Sequence, residues 1–109
     1  MSRSFRAVRI EKASDNTFNR TLISRTVDEL DAGDVTIEVE YSSLNYKDAL
    51  SATGNSGVTR QFPHTPGIDA AGKVIASSSN AFSVGDAVLV TGYDLGMETD
   101  GGFAEIIRV

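Results

Sequence analysis

From Val35 to Ser42 the chain sets Val35, Ile37, Val39 and Tyr41 against Thr36, Glu38, Glu40 and Ser42. Successive side chains of a strand point to opposite sides, so this alternation predicts a half-buried antiparallel strand. One strand cannot satisfy its own backbone groups, and the rest of the sequence must supply its partners. Phe5 to Glu11 reads as a strand whose apolar phase slips after Ala7, as a bulge would cause. Asp15 and Asn16 make a turn, and Arg20 to Thr26 returns as the second arm of a hairpin. Strand character recurs at Ile68 to Ala76, where Gly72 permits a bulge or the close approach of another backbone, and again in AVLV after the Gly85-Asp86 turn. Phe103 to Val109 is the last strand candidate, introduced by Asp100-Gly101-Gly102. One compact helical turn is expected in NYKDALSATG, closed by Gly54, and residues 55–66 should form an exposed loop without periodicity.

Several short strands, regular turns and one or two short helices predict an all-β domain, a barrel or a sandwich. A length of 109 residues with 40% hydrophobic content suits one core, so residues 1–109 are expected to be a single domain. The chain ends on Ile106-Ile107-Arg108-Val109, strand-like and without a polar tail, which suggests that more sequence belongs after it. A formal charge of −5 without long single-sign runs argues against a general nucleic-acid or anionic-membrane partner. Absence of cysteine removes disulfides, thiol nucleophiles and thiolate metal sites. The N-terminus carries no apolar signal core and no run is long enough to span a bilayer, so a soluble cytoplasmic protein is expected.

Three clusters at strand ends hold the candidate chemistry: SSLNYKD at 42–48, PHTPGIDAAGKV at 63–74 and GGFAE at 101–105. Asn45, Tyr46, Lys47 and Asp48, where a strand hands over to a helix, can present donors and an acid to one cleft. The same residues also read as an ordinary helix start, with Asn45 as N-cap, Asp48 beside the positive end of the dipole and Lys47 in solvent. His64, the only histidine, sits between Pro63 and Thr65 and reads as an exposed loop residue rather than a catalyst. A metal site would need Asp48 and Asp69 to join it without recognisable ligand spacing, so none is expected. Neither GYDLGMETDGG nor TGNSG is a dinucleotide GxGxxG, because neither follows a parallel strand and opens a long helix; Gly67, Gly72, Gly101 and Gly102 are expected to hold positive backbone angles or tight packing. Tyr41 is expected in the core or at an edge, which leaves Tyr46 as the tyrosine of chemical interest.

In this order and at these separations the three clusters resemble the N-terminal GroES-like domain of medium-chain dehydrogenases/reductases, over nearly the entire chain. VEYSSLNYKDALSATG and FPHTPGIDAAGKV, followed by FSVGDAVLVTGYDLGMETDGGFAE, are most similar to the quinone-oxidoreductase-like branch that includes acryloyl-CoA reductases. Zinc alcohol dehydrogenases carry a cysteine ligand and a Gly-His-Glu where this chain reads Asn45 and Gly67-Ile68-Asp69.

The resemblance therefore implies a GroES-like partly open β-barrel and a zinc-independent reductase of an enone, an enoyl thioester such as acryloyl-CoA, or a quinone. It implies hydride transfer from NADPH to the β-carbon, protonation at the α-carbon, and hydrogen-bond donors that stabilise the enolate. On this reading Asn45 and Tyr46 line the catalytic site, Tyr46 and Lys47 meet the cofactor, and Pro66, Gly67 and Ile68 shape the substrate cleft. Arg60, in the 55–62 loop, faces either solvent or a coenzyme A phosphate. NADPH would be bound mainly by a Rossmann domain that the 109 residues do not contain, so the chain alone is expected to be inactive and the intact enzyme homo-oligomeric. The competing reading is a non-catalytic GroES-like binding or assembly module in which NYKD only caps a helix.

Overall fold

The computed structural model describes residues 3–91 and 94–109. Strands β1 (Ser4–Lys12) and β2 (Phe18–Thr26) form a two-stranded antiparallel sheet. Their hairpin turn is fixed locally: Asn16 takes φ 64°, and Asp15 Oδ1 accepts from the Thr17 hydroxyl at 2.6 Å and from its N–H at 3.2 Å. The register runs unbroken from Ser4 opposite Thr26 to Lys12 opposite Phe18, so the phase slip in the β1 sequence is not a bulge. It arises because Phe5, Ala7 and Ile10 are buried while Val8 is only half-covered beside the cleft described below.

The second sheet has the order β5-β4-β3-β6, from β3 (Val35–Tyr41), β4 (Ala70–Ser77), β5 (Ala87–Val90) and β6 (Ile106–Arg108). The expected alternation of burial along β3 fails at both ends. Val35, Thr36 and Ile37 are all buried, and Tyr41 is 77% exposed. β3 has a neighbour on each side, and Thr36 tolerates burial because its hydroxyl accepts from Arg108 Nε at 2.9 Å. Tyr41 lies at the strand's far end, beyond β6, which pairs only as far as Glu38. Gly72 does mark a close approach: a Cβ there would meet the Glu38 carbonyl oxygen at 2.0 Å, next to a register shift between Val39 and Tyr41.

The two sheets are stitched by β1. Val8 N–H donates to Phe103 O at 2.9 Å, Glu105 N–H to Arg6 O at 2.9 Å, and Ile10 and His64 exchange backbone bonds of 2.7 and 3.0 Å. The result is a mostly β, partly open arrangement, as expected, and among the described residues it holds one short helix, α1 (Tyr46–Ala52), and one 3-10 turn at Val27–Glu29. Val35, Ile37, Ala70, Val74, Leu95 and Ile107 form one apolar cluster, and Phe5, Ala7 and Ile106 a second one beneath the hairpin.

The 55–66 segment departs from the exposed loop expected of it. Val58, Thr59, His64, Thr65 and Pro66 are buried. Its polar groups find specific partners within the chain: Thr59 Oγ1 bridges Ser51 Oγ at 2.6 Å and Met97 O at 2.9 Å, and the Thr65 hydroxyl donates to Val8 O at 2.6 Å. His64 is likewise buried, not exposed, packed over β1 with its Nε2 3.0 Å from Gly96 O. Composition rich in Gly, Ser and Thr resembles that of a solvated loop, but those residues are also the ones whose short polar groups can be paired inside.

Candidate functional site

The strand-to-helix junction is built around two carboxylates. Asn45 is the N-cap of α1, with extended backbone (φ −128°, ψ 158°). Asp48, three residues on, is 3% exposed and receives the Asn45 N–H on Oδ2 at 2.8 Å and the Ile68 N–H on Oδ1 at 2.9 Å. A buried carboxylate with two backbone donors is well compensated, so the residue read as a helix cap also ties the helix to the 66–69 segment. Asp69 is held from the other side: the Ser43 hydroxyl donates to Oδ1 at 2.7 Å and the Ser42 hydroxyl to the Asp69 backbone O at 2.8 Å.

Asn45 sits between the two acids. Its Nδ2 lies 3.3 Å from Asp48 Oδ2, 3.2 Å from Asp69 Oδ2 and 3.1 Å from Ser43 Oγ. Carboxylates only accept, so they fix which end of the amide faces them. The amide hydrogens are committed within the chain, and the amide oxygen faces the Asp48 backbone N–H in a reciprocal capping box. Asn45 is thus held at both ends of its amide by its own neighbours.

Beside this junction is a cleft of about 590 Å³, lined mainly by apolar side chains. Val8, Ile10 and Phe103 form its base, Leu22 and Leu44 its rim, and Asn45, Asp48, Ala49 and Ala52 the face of α1. Pro66 closes it, so Asn45 and Pro66 of the sequence candidates do meet. Gly67 and Ile68 do not line this cleft. Gly67, at φ 114°, is buried behind it, where a Cβ would meet the Gly102 nitrogen at 2.6 Å. Ile68 contributes its N–H to Asp48. Tyr46, 78% exposed, and Lys47, also exposed, stand on the first turn of α1 outside the cleft wall. Arg60 turns to Glu98 at 3.3 Å and lies away from the cleft.

Sequence reasoning missed the contribution of the hairpin. Arg20, Thr21 and Leu22 of β2 all line the cleft. The strand from Arg20 to Thr26 was legible, but nothing in it says which face of the hairpin looks onto α1. His64 is not part of the cleft either. Burial holds its imidazole below the ordinary histidine range, against the opposing pull of the Gly96 carbonyl and Asp100. Because Gly96 O can only accept, the neutral ring carries its proton on Nε2. Among the described residues no group of three or more His, Cys, Asp or Glu side chains converges as metal ligands would. No helix among them is long and apolar enough to cross a membrane.

Residues 31–109 match the alcohol dehydrogenase GroES-like domain family. The chain is 50% identical over 93 residues to "Probable acrylyl-CoA reductase AcuI" of Escherichia coli K12, covering 83% of this chain and 29% of that protein. The crystal structure of the YhdH oxidoreductase from Salmonella enterica in complex with NADP superposes with a TM-score of 0.90 at 43% identity, over 95% of this chain and 32% of that one. Bacillus subtilis YhfP with NAD bound gives 0.92 at 36% identity, over 98% and 32%. The chain spans about a third of the length of the relatives it matches. By sequence and by fold it belongs to the GroES-like domain family of the medium-chain dehydrogenases/reductases, on the branch of its acrylyl-CoA reductase and quinone oxidoreductase relatives.

Proposed function

We propose that residues 1–109 are the substrate-side domain of an NADPH-dependent reductase that saturates an activated carbon–carbon double bond, in an enone or an enoyl thioester, or reduces a quinone, without a metal ion. The observation that carries this reading is the placement of Asn45 on the wall of an apolar cleft, with its amide oriented by Asp48 and Asp69. A position that holds a cysteine ligand in zinc alcohol dehydrogenases is here an amide locked to two acids, which suits orientation of a neutral group.

The residues present fit the ring end of a nicotinamide cofactor. Leu22, Leu44, Pro66 and Phe103 give apolar surface, with the oriented Asn45 amide on the same wall. Bound there, the cofactor supplies a hydride to the substrate's β-carbon. The apolar wall keeps water from the reacting carbons, which strengthens each polar contact inside the cleft. Tyr46, exposed on the first turn of α1 beside Asn45, meets the ligand only where it extends past the cleft mouth, and there it is assigned a hydrogen bond to the carbonyl oxygen, a proton relay or packing on the nicotinamide. Lys47, on the same exposed turn, is assigned to a cofactor ribose or phosphate. Pro66 shapes the cleft directly, and Gly67 and Ile68 hold it from behind. The cofactor's phosphates belong to a Rossmann domain outside these residues, in a cytoplasmic, homo-oligomeric enzyme.

The test is a chimera joining this chain to the part of the Escherichia coli relative that follows its matched segment. NADPH oxidation that depends on an acrylyl thioester or a quinone supports the reading. A folded, NADPH-binding chimera that oxidises no NADPH with either overturns it and favours the binding-module reading.

A further inference from the structure

Most of the arginines are spent inside the chain. Arg3 pairs with Glu38, Arg6 with Glu105, Arg25 with Asp100 and Arg60 with Glu98, and Arg108 donates to Thr36 Oγ1 and Leu30 O. Arg20 differs. It is exposed, has no hydrogen bond or ion pair among the described residues, and lines the apolar cleft, opposite Ile10 in the β1–β2 register. It also lines the adjoining cleft under the C-terminal half of α1, with Phe18, Ala52 and Thr53, so it stands on the ridge between the two. The nearest acid of the cleft, Asp48, is buried with both oxygens already engaged by N–H groups. In a chain of net charge −5, a guanidinium left without an acid at the mouth of an apolar cleft is a site of uncompensated positive charge.

We infer that Arg20 is a specificity-determining residue that anchors an anionic group on the ligand, a phosphate or a carboxylate remote from the reacting double bond. The planar guanidinium matches both oxyanions in two-point contact, and its position on the ridge leaves the apolar cleft for the ligand's uncharged end. This rests on the reading of the cleft as a substrate site, and it selects anionic-tailed enoyl compounds over neutral quinones. Arg20 touches the tail and not the reacting atoms.

Two matched probes test it on the 109-residue chain itself: S-crotonyl-4′-phosphopantetheine and S-crotonylpantetheine, which differ by one phosphate, followed by amide NMR shifts and calorimetry. The expected result is about tenfold tighter binding of the phosphorylated probe, in line with a charge-assisted hydrogen bond, with shifts at Arg20, Thr21 and Asn45. Arg20→Ala should abolish the preference and Arg20→Lys retain part of it, both with native-like spectra because the side chain is exposed. S-crotonyl-3-mercaptopropionate replaces the phosphate by a carboxylate and reports which oxyanion is preferred. Equal binding of the first two probes, absence of binding by either, or a preference that survives Arg20→Ala would overturn the assignment. If 4′-phosphopantetheine without the crotonyl group binds as tightly and with the same Arg20 dependence, the anchor stands and the enoyl reading of the cleft fails. If both crotonyl probes bind equally at Asn45, the enoyl reading stands and the anchor fails.

Discussion

Asp48 Oδ1 accepts the backbone N–H of Ile68 at 2.9 Å, across twenty residues of sequence, while its Oδ2 caps the first turn of α1. One carboxylate therefore ties the first turn of α1, which Asn45 caps, to the segment that follows Pro66. Asp48→Asn keeps an acceptor for only one of the two backbone donors and is expected to cost about 1–3 kcal/mol of stability. Asp48→Ala leaves both donors unpaired and should cost more. Urea denaturation of the three proteins, with unchanged m-values, checks the order.

Gly67 carries the wall from behind. At φ 114° and with the Gly102 nitrogen 2.6 Å from where a Cβ would sit, Gly67→Ala meets both backbone strain and a clash with main chain that cannot rotate away. Gly85 has a comparable φ of 95° but nothing within 4 Å. The expected loss is about 3 kcal/mol or more at Gly67 against about 1 kcal/mol at Gly85, read from thermal melts of the two variants. Equal losses would mean that the packing against the Gly101-Gly102 turn contributes nothing.

Buried His64 predicts a pH dependence. Burial lowers its folded-state pKa below the ordinary histidine value of 6.5, so below that pH the unfolded chain binds the extra proton first. Stability should then rise with pH through the region just below 6.5 and level off above it, and fall as the solution is acidified. The carboxylates whose pKa is lowered, Glu29 and Glu105 by accepting backbone N–H bonds and Asp15 chiefly by the Thr17 hydroxyl, lose their contribution further down in acid. Chemical denaturation between pH 5 and 8, the range in which histidine titrates, should show a slope that His64→Gln removes. A slope that persists in the variant would assign the effect elsewhere.

The parts of this architecture legible in the sequence were those written in local pattern. The hairpin turn at Asp15-Asn16, the helix after Asn45 and the close approach at Gly72 each depend on residues adjacent in the chain or on a missing side chain. What the sequence did not disclose depends on non-local contact. Thr36 breaks the alternation of β3 because Arg108, at the other end of the chain, bonds its hydroxyl. His64 and Thr65 are buried because Ile10 and Val8 of β1 cover them, which nothing in a Gly- and Ser-rich stretch announces. The candidate site divides in the same way. Asn45 and Pro66 came from clustered motifs, whereas Arg20 and Leu22 face the cleft only because of the way the hairpin folds over α1. The orientation of the Asn45 amide was not legible, since it is set in part by Asp69, which lies in a different motif.

The most direct test of the central proposal is the path of the hydride in the chimera. With NADPH deuterated at the transferring position of the nicotinamide and an acrylyl thioester, NMR of the product should find one deuterium at the β-carbon and a solvent proton at the α-carbon. Asn45→Ala should slow this transfer about tenfold or more in kcat/KM, as loss of an orienting contact does. Label that never reaches the β-carbon, or transfer at full rate in Asn45→Ala, would contradict the account.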